Sequence, residues 1–158
     1  MPKTSAGLLP FRDAPDGSVE VLLVHPGGPL WKDRDDHAWS VAKGEYGPDE
    51  GALAAAEREF AEETGWPAPP GDRLDLGEVR QSGGKIVRAW AVAGADLSTE
   101  RVVSNRFELE WPPRSGVMCS FPEVDRAEWT DIATARTRMV RAQVLFLDRL
   151  LERVERRG

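Results

Sequence analysis

The strongest structural signal in the sequence is a helix-forming run, residues 50–64, that lies between two β-rich segments. Gly65 and Pro67 follow it directly and are typical stop signals, so we predict a helix ending at Thr64. Runs of β-forming residues bounded by turn residues predict the strands. Predicted strands cover 6–12, 18–25, 38–41, 74–80, 85–92, 107–111, 117–121 and 127–129, and a second helix covers 131–156.

The order of these elements predicts a mixed β-sheet packed against helices, an α/β or α+β sandwich. A chain of 158 residues fits a single domain, 1–158. With 41% hydrophobic and 30% charged residues it is neither a disordered acidic chain nor a membrane protein, and no apolar run approaches the roughly 18 residues of a membrane span. We expect a cytoplasmic protein without a signal peptide or a membrane partner, and the oligomeric state stays open.

Charge and cysteine content narrow the class of partner. The net charge of −6 gives no support for a stable nucleic-acid partner, so an anionic substrate would need local cations or a metal. The single cysteine, Cys119, cannot form an intrachain disulfide, which fits a reducing compartment, and we expect it to be a small buried apolar residue. His25 and His37 are too few and too widely separated to predict a metal site.

Three glutamates share one face of the first helix. Glu59, Glu62 and Glu63 are related by i, i+3 and i, i+4 steps and therefore occupy an arc of roughly 100°. Like charges at these spacings repel, and no lysine lies between Lys43 and Lys85 to compensate. The alternative is a solvated acidic face, but a hard divalent cation such as Mg²⁺ accounts for the arrangement better, because it takes oxygen ligands and is usually accompanied by substrate phosphates.

The spacing around this helix forms a longer motif. Gly44, Glu50 and the segment from Arg58 to Trp66 match G-x5-E-x7-R-E-U-x-E-E-x-G-U, where U is a bulky apolar residue. Seven specified residue types at fixed offsets make a chance match negligible. The motif resembles the signature of the Nudix hydrolases, and the strands before it, the hairpin after it and the closing helix are similar to the α/β/α sandwich of that family.

The resemblance implies water attack on a phosphorus of a nucleoside diphosphate linked to another group, with Mg²⁺ or Mn²⁺ as cofactor. It implies that Glu59, Glu62 and Glu63 are metal ligands and that Glu59 is the candidate base for the attacking water. Arg58 would hold these carboxylates by charge-assisted hydrogen bonds, with Glu50 as its other partner. The small Gly44 would let a backbone carbonyl of residue 43 or 44 reach the metal.

A further acidic ligand is expected outside the motif. Glu123 lies six residues before Trp129, and this resembles the glutamate that precedes a similar tryptophan in asymmetric diadenosine tetraphosphate hydrolases of the family. Glu108 and Glu110 are the alternative ligands. The alternative for Glu123 itself is a loop carboxylate that faces solvent and binds no metal.

Other candidate substrate contacts are cationic or aromatic. The segment Trp39 to Gly44 is similar to the W-x-x-P-K-G sequence of dinucleoside polyphosphate hydrolases, with Ala42 in place of the proline. Lys43 is a candidate phosphate contact or a solvated surface lysine, and Trp31 stacks on a base or covers the core. Lys85 and Arg88 would add cations near the phosphates or protect a strand edge.

We therefore expect a pyrophosphohydrolase acting on a nucleotide polyphosphate, with a dinucleoside polyphosphate such as diadenosine tetraphosphate as substrate. One alternative is a (d)NTP pyrophosphatase that releases a monophosphate and pyrophosphate. Others are a non-catalytic nucleotide-sensing module, which would be expected to lose carboxylates of the motif, and an enzyme acting on 5′-triphosphorylated RNA.

Overall fold

The computed structural model describes residues 2–99 and 101–157. Met1 and Gly158, the first and last residues of the predicted domain, and Glu100 lie outside the described residues. The strands are β1 Thr4–Asp13, β2 Val19–Pro26, β3 Ala42–Glu45, β4 Leu74–Arg80, β5 Ile86–Ala93, β6 Arg106–Glu110, β7 Met118–Pro122 and β8 Val124–Asp131. The helices are α1 Ala52–Thr64, α2 Ile132–Arg138 and α3 Val144–Arg157, with a 3-10 turn at Arg141–Gln143.

Six of the strands form one mixed sheet. Its order is β4-β5-β1-β2-β8, and β3 pairs with β1 outside this order. The long strand β1 is parallel to β5 and antiparallel to β2 and β3, so that its first half pairs with β3 and its last residues pair with β2. This arrangement brings β3, which carries Lys43 and Gly44, next to the centre of the sheet.

Two apolar layers cover the two faces of this sheet. Successive residues of a strand point to opposite faces, and in β2 Val21 and Leu23 pack with α3 while Leu22 and Val24 pack with α1. Phe60 of α1 and Phe146 of α3 are both fully buried in these layers. The predicted α/β/α sandwich with a mixed sheet is therefore confirmed.

Helix α1 confirms the predicted helix to within two residues. Its last turn ends at Gly65, whose φ of 81° is the left-handed conformation that glycine adopts without strain, and the Gly65 N–H donates to the Ala61 carbonyl. The helix packs on the sheet through the buried Ala56, Phe60 and Thr64, and Leu53 is only partly buried.

The predicted strand at 38–41 is wrong. Trp39 and Ser40 form only isolated bridges, to Met139 and Val24, and the strand begins at Ala42. Trp39 is fully buried, and its main chain bonds to Arg138 and Val140 near the C-terminal end of the chain. It therefore does not extend the pairing between β3 and β1.

The predicted continuous helix over 131–156 is also wrong. The chain is extended at Met139 and Val140, where the Val140 N–H donates to the Trp39 carbonyl. The interruption carries the fully buried Gln143 into the core, where its Oε1 accepts from the Val41 N–H at 3.0 Å. Within the part of the chain that the structure describes, no helix is long and apolar enough to cross a membrane.

Strands β6 and β7 form a separate antiparallel hairpin, with Phe107 opposite Phe121. Phe107 and Leu109 are half-buried on one side of β6, whereas Glu108 and Glu110 are exposed on the other. Cys119 lies in this hairpin and is only half-buried, so the expectation of a buried cysteine is wrong.

Candidate active site

Helix α1 presents the three glutamates of the motif, Glu59, Glu62 and Glu63, to different environments. Glu59 and Glu63 are both 8% exposed and lie one turn apart, next to the fully buried Phe60. The Glu62 side chain is 38% exposed. The helix therefore buries the carboxylates of Glu59 and Glu63 and leaves that of Glu62 at the solvent-exposed rim of the site.

Arg58 donates four hydrogen bonds to three carboxylates. Its Nε and Nη2 donate to the two oxygens of Glu50 at 2.7 and 2.8 Å, and its Nη1 donates to Glu59 at 2.8 Å and to Glu62 at 3.0 Å. Donation from Arg58 holds the pKa of Glu50 below its usual value. Arg58 has the contacts that the sequence predicted: its fork binds Glu50, and its Nη1 orients Glu59 and Glu62 of the helix.

Gly44 on β3 is in direct contact with the Glu59 carboxylate. A Cβ at this position would overlap the carboxylate carbon and both oxygens. The glycine is thus required by close approach of a side chain, and its φ does not lie in the left-handed region. Because Arg58 holds Oε1 of Glu59, the Oε2 atom is the one without a guanidinium partner.

Glu63 and Glu123 form a close pair of carboxyl groups. Burial, followed by hydrogen-bond contact with Glu123 and repulsion from it, raises the pKa of Glu63 to about 8. Burial also raises the pKa of Glu59, against the opposing effect of Arg58, and Glu62 and Glu123 add repulsion. Three acidic groups, Glu59, Glu63 and Glu123, therefore interact electrostatically at one place although they lie far apart in sequence.

Two main-chain contacts fix Glu123 beside the helix. The Asn105 N–H donates to the Glu62 carbonyl at 3.1 Å, and the Asn105 carbonyl accepts from the Glu123 N–H at 2.8 Å. On the other side the Gly27 N–H donates to the Glu123 carbonyl, and a Cβ on Gly27 would collide with the Pro122 carbonyl. Sequence reasoning missed Asn105 and Gly27; the Pro26-Gly27-Gly28 run was the available signal for a close approach at residue 27.

Lys43, Glu63 and Glu123 line a small cavity with a volume of about 140 Å³. Burial, and then repulsion from Lys85, lowers the pKa of Lys43, while Glu63 opposes this shift. Lys85 itself is exposed. Arg88 donates to Asp75 at 2.9 Å and lies 4.8 Å from the Trp90 ring centroid, and it lines neither this cavity nor the next one.

A second cavity of about 270 Å³ adjoins the first. Trp31, which is 39% exposed, lies in its wall together with Phe107 and Leu109 of β6. Glu123 and Pro26 line both cavities. Glu108 and Glu110, the alternatives to Glu123, lie on the opposite side of β6.

His25 is fully buried near the end of β2. Its Nε2 donates to the Arg34 carbonyl at 2.7 Å, and its Nδ1 contacts Oδ1 of Asp125 at 2.9 Å. The imidazole therefore ties the loop that carries Trp31 to the start of β8.

The donor set fits a hard divalent cation by its chemistry. The groups that come together are carboxylates, and carboxylate oxygens favour Mg²⁺ or Mn²⁺. The pKa values of Glu59 and Glu63 are raised by burial and by repulsion from neighbouring carboxylates. Over residues 2–99 and 101–157, no three acidic, imidazole or thiol side chains stand in ready coordination geometry. The fit is thus one of ligand type and charge.

The fold and the site together define a class: an α/β/α sandwich in which a glutamate-rich helix, held by an arginine fork, faces a cavity beside a glycine of the sheet. A family model described as NUDIX domain matches residues 1–150. The chain belongs to the NUDIX family, and it is a hydrolase of the class that acts on pyrophosphate bonds. The family and the class of enzyme predicted from the sequence are confirmed.

Solved structures with this fold cover nearly the whole chain. A Caenorhabditis elegans Ap4A hydrolase in a binary complex has a TM-score of 0.65 and 18% identity over 97% of this chain and 98% of its own. The Mycobacterium smegmatis Nudix hydrolase RenU has a TM-score of 0.59 and 21% identity, with 98% and 87% covered. The NUDIX domain of Shewanella oneidensis NrtR, complexed with ADP ribose, has a TM-score of 0.63 and 16% identity, with 98% and 89% covered. At these identities the likeness shows the fold. No curated protein sequence matches the chain.

Proposed function

We propose that the protein is a Mg²⁺- or Mn²⁺-dependent pyrophosphohydrolase whose substrate is a dinucleoside polyphosphate such as diadenosine tetraphosphate. The observation that carries this proposal is the cavity lined by Lys43, Glu63 and Glu123, together with the repulsion between Glu123 and the nearby Glu59 carboxylate. The likeness of the Trp39 to Gly44 segment to dinucleoside polyphosphate hydrolases supports the choice of substrate. The single cysteine supports a cytoplasmic location.

Each residue of the site has a proposed role. A bound divalent cation would neutralise phosphate oxygens and lower the pKa of a water. Carboxylate oxygens of Glu59, Glu62, Glu63 and Glu123, with the backbone at Gly44, would hold it. Glu59, whose Oε1 accepts from Arg58, would take the proton of the attacking water at Oε2. Lys43 would contact a phosphate.

A hydrolysis panel with and without Mg²⁺ tests this proposal. The substrates are dinucleoside polyphosphates, (d)NTPs, ADP-ribose, nucleotide sugars and 5′-triphosphorylated RNA. An asymmetric cut of diadenosine tetraphosphate into ATP and AMP, only with metal, is the expected result. Release of pyrophosphate from (d)NTPs without cleavage of any dinucleotide would overturn the choice of substrate.

A pair of variants on one helix separates an enzyme from a nucleotide-sensing module. Glu62→Gln keeps the size of the side chain and removes its charge, and it should reduce turnover by about 100-fold or more. Glu57→Gln is the matched control, because Glu57 lies on the same helix and pairs with Arg73. Nucleotide binding without metal-dependent turnover in the wild type would favour the sensing module, and equal rates for both variants would remove Glu62 from the proposed site.

A further inference from the structure

The segment 101–105, which leads into β6, lies against the C-terminal end of α1. The Val103 N–H donates to the Thr64 carbonyl at 3.0 Å, and the Asn105 N–H donates to the Glu62 carbonyl at 3.1 Å. The last carbonyl groups of a helix have no partner within the helix, so groups from another part of the chain can satisfy them. The segment is therefore held by the end of the helix that carries the glutamates of the motif.

The same segment holds the main chain on both sides of Glu123. The Asn105 carbonyl accepts from the Glu123 N–H at 2.8 Å, and Oγ of Ser104 accepts from the N–H of the next residue, Val124, at 3.0 Å. The Ser104 hydroxyl has the Asn105 carbonyl at 2.9 Å and the Val124 carbonyl at 3.1 Å as acceptors for its one hydrogen. Among these contacts, a side chain makes those of Ser104, so a substitution can remove them.

We propose that Ser104 is a positioning residue for the metal site, because its hydroxyl fixes the chain at Glu123 beside the end of α1. The inference rests on the proposed function, in which Glu123 and the glutamates of the motif hold a divalent cation. Ser104 is half-buried and lines neither of the two cavities. It therefore acts through Glu123 and not by touching the cation or the substrate.

Repulsion between carboxylates is the reason that the position of Glu123 needs support. Glu123 is in hydrogen-bond contact with Glu63 and repels both Glu63 and Glu59. Like charges move apart where the chain allows it, and a cation then has to bring its ligands together again at a cost in affinity. Hydrogen bonds to the main chain at 123–124 oppose this movement. Contacts that orient metal ligands in this way account for about 10- to 100-fold in metal affinity.

Binding of Mn²⁺ to the full-length protein without substrate, measured by electron paramagnetic resonance of the free ion, tests this role. Ser104→Ala removes the hydroxyl and should raise the dissociation constant for Mn²⁺ about tenfold or more. Ser115→Ala is the matched control, because the Ser115 Oγ accepts from the Val117 N–H at 3.1 Å in the exposed turn of the β6–β7 hairpin. The control loses the same kind of contact away from Glu123, so its dissociation constant should stay within about twofold of wild type.

Two variants of equal shape isolate the hydroxyl. Ser104→Thr and Ser104→Val differ in that the first carries a hydroxyl where the second carries a methyl group. Ser104→Thr should bind Mn²⁺ within about threefold of wild type, whereas Ser104→Val should bind it as weakly as Ser104→Ala. Thermal unfolding of the metal-free proteins checks that each variant is folded.

A double variant shows whether Ser104 acts through Glu123. In the Glu123→Gln background, Ser104→Ala should change the dissociation constant for Mn²⁺ by less than about twofold, because the carboxylate that it positions is absent. A general effect of Ser104 on the fold would instead weaken binding by the same factor in both backgrounds.

The proposal is overturned if the wild type binds no Mn²⁺, or if Ser104→Ala and Ser104→Val both bind it within about twofold of wild type. It is also overturned if Ser104→Ala has the same effect with and without the Glu123 carboxylate. These outcomes are separable from failure of the proposed function. If the hydrolysis panel shows no turnover while the Ser104 variants lose Mn²⁺ affinity, the positioning role stands and the catalytic proposal fails.

Discussion

Replacing Gly44 with alanine should disable the site without unfolding the protein. The added Cβ would overlap all three atoms of the Glu59 carboxylate, whereas ordinary contact begins at about 3.4 Å. Glu59 must therefore withdraw by about 1 Å or more, away from the position in which Arg58 holds it. A misplacement of this size costs on the order of 100-fold in rate, which is about 2.7 kcal/mol of transition-state stabilisation.

The assay is kcat/KM for diadenosine tetraphosphate at saturating Mg²⁺. Gly47→Ala is the matched control, because nothing lies within 4 Å of a Cβ there and its φ is outside the left-handed region. Thermal unfolding of both variants checks that the fold is retained. If Gly44→Ala keeps its activity within threefold of wild type while remaining folded, Glu59 does not need its observed position and the assigned role is wrong.

Three other variants probe the contacts around the site. Arg58→Lys keeps the charge but loses the fork to Glu50, so kcat should fall about 10- to 100-fold with little change in unfolding midpoint; equal kcat would contradict the orienting role. Glu123→Gln should raise the Mg²⁺ concentration for half-maximal activity at least about tenfold, whereas the exposed control Glu108→Gln should not, and equal values would remove Glu123 from the ligand set. His25→Ala leaves a cavity and two broken contacts, and should lower the free energy of unfolding in urea by about 2–4 kcal/mol; a loss below about 1 kcal/mol would contradict its structural role.

Features determined within one element could be predicted from the sequence. The helix periodicity places Glu59, Glu62 and Glu63 on neighbouring positions whatever the rest of the chain does, and Gly65 ends the helix through its own backbone freedom. The strands β4 and β5 agree with the predicted ranges to within a residue for the same reason. Local spacing therefore gave the helix, its carboxylates and most of the strands.

Features that depend on contacts between distant segments were not predictable. The chain at 139–140 is extended because the Arg138 carbonyl and the Val140 N–H bond to the main chain of Trp39, about a hundred positions earlier. Spacing likewise placed the three glutamates on one arc but could not show that Glu62 stays at the rim while the other two are buried against β3.

The cavity lined by Trp31, Phe107 and Leu109 could be predicted from the sequence only in part. Trp31 was a candidate from its residue type, but its partner Phe107 lies on a hairpin 76 positions away. The alternation of Phe107 and Leu109 with Glu108 and Glu110 was a usable signal, because it predicts that one side of β6 faces an apolar surface. Which surface it faces depended on the approach of Gly28, which only the three-dimensional structure shows.

The location of bound metal is the most direct test of the account. Crystals grown with Mn²⁺ and a non-hydrolysable dinucleoside polyphosphate would show the ion by its anomalous scattering. We expect a peak within about 2.3 Å of carboxylate oxygens of Glu59, Glu62 or Glu63 and in contact with a phosphate oxygen of the ligand. Manganese bound elsewhere, with these carboxylates facing solvent, would contradict the account.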